Sequence, residues 1–103
     1  MTGTESQIEW AQRIKPKVGV EFDRVTRVFE TVASKQQDPD RAETRLIVDL
    51  VREMRAGVMA NEEAGYFIRV WQEVKDQVRQ MVSQDPRYVE IRAGRTARKS
   101  RAA

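Results

Sequence analysis

Two stretches of this chain repeat the same spacing of apolar residues, and this spacing restricts the possible folds more than any other feature. The two series are Val18, Phe22, Val25, Phe29 and Val32, and Phe67, Trp71, Val74, Val78 and Met81. Alternating steps of four and three residues place side chains along one stripe of an α-helix. Residues 40–56 carry a third apolar stripe, formed by Leu46, Ile47, Leu50, Val51 and Met54. The sequence therefore predicts an all-α protein.

The first predicted helix covers residues 4–15 and has a clear start. Thr4 can cap it, and Gln7 lies three positions later as the reciprocal partner of a capping box. Pro16 removes a backbone donor and crowds the preceding turn, so a kink is expected there. The alternation of apolar residues over 18–22 also fits a short strand. The periodic pattern that follows favours a kink with more helix after it.

Polar residues and glycine predict the remaining helix boundaries. Asp38-Pro39-Asp40 is predicted to form a turn and the start of the second helix, with an aspartate cap, a proline suited to the first turn, and Glu43 three residues after Asp40. Gly57 is a candidate stop for that helix. Asn61 is positioned to cap a third long helix, which the run at 83–86, containing a proline, ends.

Three helical segments with matching stripes and short connections indicate an antiparallel bundle of three main helices. The domain is expected to cover residues 1–91, and residues 92–103 are expected to form a disordered basic tail. Whether residues 86–93 are ordered stays open. The stripes are narrow, so pairing between two chains in a homodimer is an alternative to packing within one chain.

The chain contains neither histidine nor cysteine, which removes most catalytic and metal chemistry. A Ser-His or Cys-His nucleophile pair and an ordinary zinc site are both excluded. We therefore expect a protein that is not an enzyme and has no cofactor or metal. The remaining enzymatic alternative is a divalent ion held by Asp49 and Glu53, but Arg45 and Arg52 make surface ion pairs the stronger interpretation. No apolar run is long enough to span a membrane, and a cytoplasmic location is expected.

Basic residues are concentrated at the C-terminal end. Residues 1–85 hold 13 basic and 15 acidic side chains, whereas residues 86–103 hold six basic side chains against Glu90 alone. The candidate nucleic-acid-binding residues are Arg92, Arg95, Arg98, Lys99 and Arg101. In a helix they would form one broad cationic face, and in an extended chain a flexible arm. A tail that only favours solubility and a tail that binds an acidic protein are the alternatives.

The aromatic residues divide into two groups. Phe67 and Trp71 are four residues apart on the stripe that runs from Phe67 to Met81, so core packing explains them. Trp10 and Tyr66 lie beside the stripes and are the candidate partner-binding residues, because exposed aromatic side chains often dominate interface energetics.

Two short segments resemble a set of small uncharacterised bacterial and phage-borne proteins. Residues 4–14 (TESQIEWAQRI) are similar to their opening motif, Ser/Thr-x-x-Gln-Ile-x-Trp-Ala-x-x-Ile-Arg, although Lys15 stands where that family has arginine. Residues 63–68 (EAGYFI) resemble their second motif, but Arg69–Trp71 replaces its acidic-Asn-Arg ending. The resemblance implies a mobile-element or phage setting and an interaction role.

These observations favour a non-enzymatic accessory protein of a phage or mobile element that binds nucleic acid through its basic tail. The alternative is an adaptor or inhibitor, for example of a host defence enzyme. Such a protein would act through an aromatic and apolar helix face and would need no tail.

Overall fold

A computed structural model describes residues 1–102 and is built from α-helices. The five helices in this range are α1 (Glu5–Ser34), α2 (Asp40–Met59), α3 (Ala64–Val70), α4 (Val74–Gln84) and α5 (Pro86–Ala102). The all-α prediction is confirmed for this part of the chain. Within it, none of the helices has the length and apolar character needed to cross a membrane.

Helix α1 starts at the predicted capping box. The Thr4 side chain accepts a hydrogen bond from the Gln7 backbone N–H at 3.2 Å, and the Gln7 side chain accepts one from the Thr4 N–H at 3.0 Å. The helix continues through Pro16 to Ser34 without a break. The alternative of a short strand over residues 18–22 is therefore wrong, and the kink at Pro16 stays a prediction.

Helix α2 differs from the prediction at both ends. Pro39 occupies its N-cap position with no side-chain cap bond, and Asp40 is the first helical residue. At the other end the helix passes through Gly57 and stops at Met59. Gly57 has no positive φ, so the left-handed conformation that makes glycine a helix terminator is not used here.

The long third helix predicted from Asn61 is divided into α3 and α4 by a bend over residues 71–73. The Asn61 side chain accepts a hydrogen bond from the Glu63 N–H at 2.9 Å, which places a turn before α3. Trp71, at the end of α3, is 1% exposed and packs in the core. The bend lets α3 and α4 each pack against α1.

The core is a thin column of apolar side chains shared mainly by α1, α2, α3 and α4. Its fully buried members include Val18, Phe22, Val51, Phe67 and Val78. The molecule measures 58 × 23 × 19 Å, and its radius of gyration is 16.5 Å. A compact chain of this length has a radius of about 13 Å, so the molecule is elongated and much of its surface lies close to the core.

Helix α5 replaces the predicted disordered tail. Alanine, arginine and lysine are strong helix formers, and ion pairs with the start of α2 hold the part of α5 that has no apolar stripe. The predicted boundary between residues 91 and 92 lies inside this helix. No side chain in the described part of α5 is fully buried, but Tyr88 and Ile91 pack against the core at its start.

Candidate functional site

The five basic residues predicted to bind nucleic acid lie on one half of α5. A helix turns by about 100° per residue, so Arg92, Arg95, Arg98, Lys99 and Arg101 project within about 180° of one another. We call this set the α5 cationic face. The same side of the helix carries Tyr88 and Ile91, which pack on the core. The cationic face is therefore turned toward the body of the protein.

Three members of the α5 cationic face converge on one carboxylate at the start of α2. Asp40 lies 2.8 Å from an Arg98 guanidinium nitrogen, 3.2 Å from one of Arg95 and 3.2 Å from Lys99 Nζ. Arg98 also pairs with Glu43, one turn further along α2. Two acidic side chains thus hold three of the five predicted cations.

This cluster is partly shielded from water. The side chain of Asp40 is 24% exposed, and that of Glu43 is 19% exposed. The hydrogen bond from Arg98, with those from Lys99 and Arg95, holds the pKa of Asp40 well below its usual range. In turn, the carboxylate of Asp40, with help from Glu43, raises the pKa of Arg98. Asp40 is therefore ionised at neutral pH, and its charge is balanced by α5.

The other two cations remain available. Arg92 and Arg101 are exposed, and neither forms an ion pair with any residue in the described range 1–102. Lys99 keeps 55% of its side chain exposed although it pairs with Asp40. The pairing of Asp40 and Glu43 with α5 was not predicted from the sequence, because acidic residues at these positions are also explained by a helix start. Only the docking of α5 on α2 brings them to the basic residues.

The start of α5 has anchors of a different kind. Arg87 lies 2.6 Å from Glu53 on α2 and 3.2 Å from Asp85, just before the helix. The Asp85 carboxylate also accepts a hydrogen bond from the Arg87 backbone N–H at 2.8 Å, which caps α5. Glu53, one of the two carboxylates considered for a metal ion, is thus paired with an arginine. Within residues 1–102 no group of three potential metal ligands is present.

The two predicted partner-binding aromatics lie in different environments. Trp10 is 53% exposed and lies outside the core cluster. Tyr66 is half-buried and meets Phe67 edge to face, with ring centroids 5.1 Å apart. Trp10 therefore offers an open apolar surface, whereas Tyr66 is mostly part of the packing around α3.

A groove between α1 and α4 was not anticipated from the sequence. It has a volume of about 390 Å³ and an apolar floor formed by Val25, Phe29, Val82 and Tyr88. Its rim carries the cations Arg24, Lys75 and Arg79 and the acids Glu21 and Asp76. We call it the α1/α4 groove. Phe29 belongs to the first apolar stripe, but here it is only half-buried.

One rim pair of the groove is held firmly. Arg24 donates to both carboxylate oxygens of Glu21, at 2.9 Å from Nε and 2.6 Å from a terminal nitrogen. The hydrogen bond from Arg24 lowers the pKa of Glu21 despite the burial of that carboxylate. Lys75 forms no ion pair within residues 1–102, although its charge also helps to lower the pKa of Glu21. With three cations and two acids, the groove lining has a net positive charge.

No protein-family model, curated protein sequence or solved structure matches this chain.

Proposed function

We propose that this protein is a non-enzymatic accessory protein of a phage or mobile element, acting in the cytoplasm, that binds nucleic acid through the α5 cationic face. The observation that carries the proposal is the placement of five cations on one half of a single helix. The resemblance of residues 4–14 to phage-borne proteins supports the setting.

Phosphate groups are the chemistry that this face fits. Four of its five members are arginines, and guanidinium groups bind phosphate oxygens bidentately. Affinity from such contacts depends on the release of counterions and carries little sequence information. The predicted antiparallel bundle, bent at Pro16, is the platform that carries α5.

Fluorescence anisotropy with a labelled DNA duplex of about 20 base pairs tests the proposal. We expect binding that weakens steeply between about 50 and 200 mM salt and that is similar for unrelated sequences. Replacing the two unpaired cations, in Arg92→Gln/Arg101→Gln, should lower the affinity and reduce the salt slope by about 0.9 for each phosphate that is no longer neutralised. Lys17→Gln/Arg27→Gln removes the same charge from two exposed positions of α1 and serves as the matched control.

Two results would contradict the proposal. One is the absence of measurable binding by the full chain at low salt. The other is an equal loss of affinity in the α5 variant and the α1 control, which would mean that net charge alone, and no particular face, attracts the duplex.

The α1/α4 groove favours protein binding as a second candidate function. An apolar floor that is open to water costs free energy, and a partner that covers it removes that cost. The net positive charge of the groove lining, which includes the unpaired Lys75, fits an amphipathic helix with acidic residues along its edge. In the homodimer considered from the sequence, a second copy of this chain would cover the groove.

A photo-cross-linking amino acid at Ser83, which lines the groove, tests this candidate in cells. We expect one cross-linked partner whose attached peptide is acidic and amphipathic. The same amino acid at exposed Gln72, outside the groove, should capture none. Lys75→Glu should abolish the cross-link, and Arg69→Glu, an equal charge change on α3, should preserve it. Equal capture from Ser83 and Gln72 would rule the groove out.

A further inference from the structure

The distal part of α5 is held to the protein almost entirely by charge. From residue 92 to residue 101, every side chain is exposed except Arg95 and Arg98. These two are the arginines that pair with Asp40. A Cβ built at Gly94 would meet no atom within 4 Å, so the helix does not pack closely at this point. Apolar packing ends at Ile91, three residues earlier.

The contacts that hold α5 use the same groups that a phosphate would need. The Arg98 guanidinium binds Asp40 and Glu43 together, so its donors toward α2 are occupied. Lys99 donates to Asp40 at 3.2 Å. Carboxylates and phosphates compete for the same donors because both offer paired anionic oxygens. In this arrangement only part of the α5 cationic face can reach a nucleic acid.

We propose that Asp40 and Glu43 act as an intramolecular latch on α5, which nucleic acid must displace to reach the whole α5 cationic face. This inference rests on the proposed function. In the latched protein, Arg92, Arg101 and the exposed part of Lys99 make the first contacts. Displacement of the two carboxylates then frees Arg95 and Arg98.

Nucleic acid can displace the two carboxylates because the latch consists of a few ion pairs, whereas a duplex offers many phosphates. Ion pairs at a protein surface are individually weak and are screened by salt. A duplex presents a continuous array of phosphates, and each neutralised phosphate adds the entropy of counterion release. Only molecules in which α5 is released expose the whole α5 cationic face. The apparent affinity of that face is therefore its intrinsic affinity multiplied by the fraction of molecules in this state. The latch thus disfavours weak or isolated anions and favours long polyanions.

The first test compares two variants with the same change in net charge. Asp40→Asn/Glu43→Gln removes the latch, whereas Asp49→Asn/Glu90→Gln neutralises two acids for which no ion pair is present within residues 1–102. Each variant loses two negative charges, so the net charge rises by two in both, and Glu90 lies on α5 itself. With the labelled duplex, the latch variant should bind about tenfold more tightly than the control variant, because the several ion pairs of the latch act together. Equal affinities of the two variants would overturn the latch.

The second test measures the movement of α5 in a protein with the latch intact. The chain has no cysteine, so Gln37→Cys/Ser100→Cys accepts spin labels at these two sites only. Both positions are exposed, and they flank the contact between Asp40 and Lys99. We expect one short distance in the free protein and a longer, broader distribution at saturating duplex. An unchanged distance at saturation would overturn the proposal even if the latch variant fails to fold.

The two tests separate failure of the latch from failure of the proposed function. If neither the wild type nor the latch variant binds the duplex, the proposed function is wrong, and the latch proposal, which rests on it, is wrong too. If the wild type binds through Arg92 and Arg101 but both charge variants gain equally, only the latch is wrong.

Discussion

Phe22 of α1 and Trp71 at the end of α3 meet edge to face in the core, with ring centroids 5.8 Å apart and ring planes at 64°. This geometry is favourable for aromatic pairs because the positive ring edge of one faces the negative ring face of the other. Both side chains are almost fully buried. The contact fixes α3 against α1 at the point where the chain bends into α4.

Truncation of Trp71 should therefore destabilise the protein strongly. Trp71→Ala is expected to lower the free energy of unfolding by about 3–5 kcal/mol, because it removes the aromatic contact and leaves a cavity. Trp71→Phe should cost less, since it also removes an indole N–H that is buried without a hydrogen-bond partner in the structure. Urea denaturation followed by circular dichroism measures both values.

The second tryptophan provides the control for this series. Trp10 is exposed, so Trp10→Ala should change the free energy of unfolding by about 0.5 kcal/mol or less. If Trp10→Ala lowered the free energy of unfolding as much as Trp71→Ala does, the assignment of Trp71 to the core and of Trp10 to the surface would be wrong.

Gly57 should be replaceable with a gain in stability. It lies inside α2, and a Cβ at this position would meet no atom within 4 Å. Gly57→Ala removes backbone freedom from the unfolded chain and should stabilise by about 0.5–1 kcal/mol. Gly3 is the contrasting position, because its φ of 140° is strained for any L side chain and its Cβ would lie 3.0 Å from Ala64 Cβ. Gly3→Ala should lower the melting temperature, and a loss of stability in Gly57→Ala would contradict the helix assignment.

Stability should depend on the ionisation of Asp40 at acid pH. Its folded-state pKa is depressed, so its contribution is complete above the unfolded-state pKa of about 4. The contribution is lost as the pH falls from there toward the folded-state value. Between about pH 6 and pH 2.5, the melting temperature of the wild type should fall further than that of Asp40→Asn. Glu21, Glu62 and Asp85 also have lowered pKa values, so both proteins will lose some stability.

Asp38→Asn is the control for the acid titration. Asp38 lies two residues before Asp40 and forms no ion pair within residues 1–102. Its pH profile should follow that of the wild type. Parallel profiles for the wild type and Asp40→Asn would show that the contact with α5 adds no stability in solution.

Signals from neighbouring residues predicted some helix boundaries correctly, but the aspartate cap and the glycine stop predicted for α2 are not present. The capping box at Thr4 and the stop before Pro86 depend on residues a few positions apart, and both are present. The break after Trp71 has no proline or glycine to signal it, since it follows from packing Trp71 against Phe22 of another helix. The contact of Asp40 and Glu43 with α5 could not be predicted either. Carboxylates at a helix start are explained by the helix alone, and only the packing of α5 on α2 brings the basic residues to them.

The order of the distal part of α5 should depend on salt. Because this segment is held by ion pairs at the surface, about 1 M salt, with a Debye length of about 3 Å, should weaken it much more than about 0.05 M salt. Hydrogen–deuterium exchange of the amides of residues 95–101 should therefore become faster at high salt, while amides around buried Val18 and Val51 should be unaffected. Asp40→Asn/Glu43→Gln should show fast exchange at both concentrations. An exchange rate of residues 95–101 that is the same at both salt concentrations would mean that helix propensity, and not the contact with α2, keeps the segment helical.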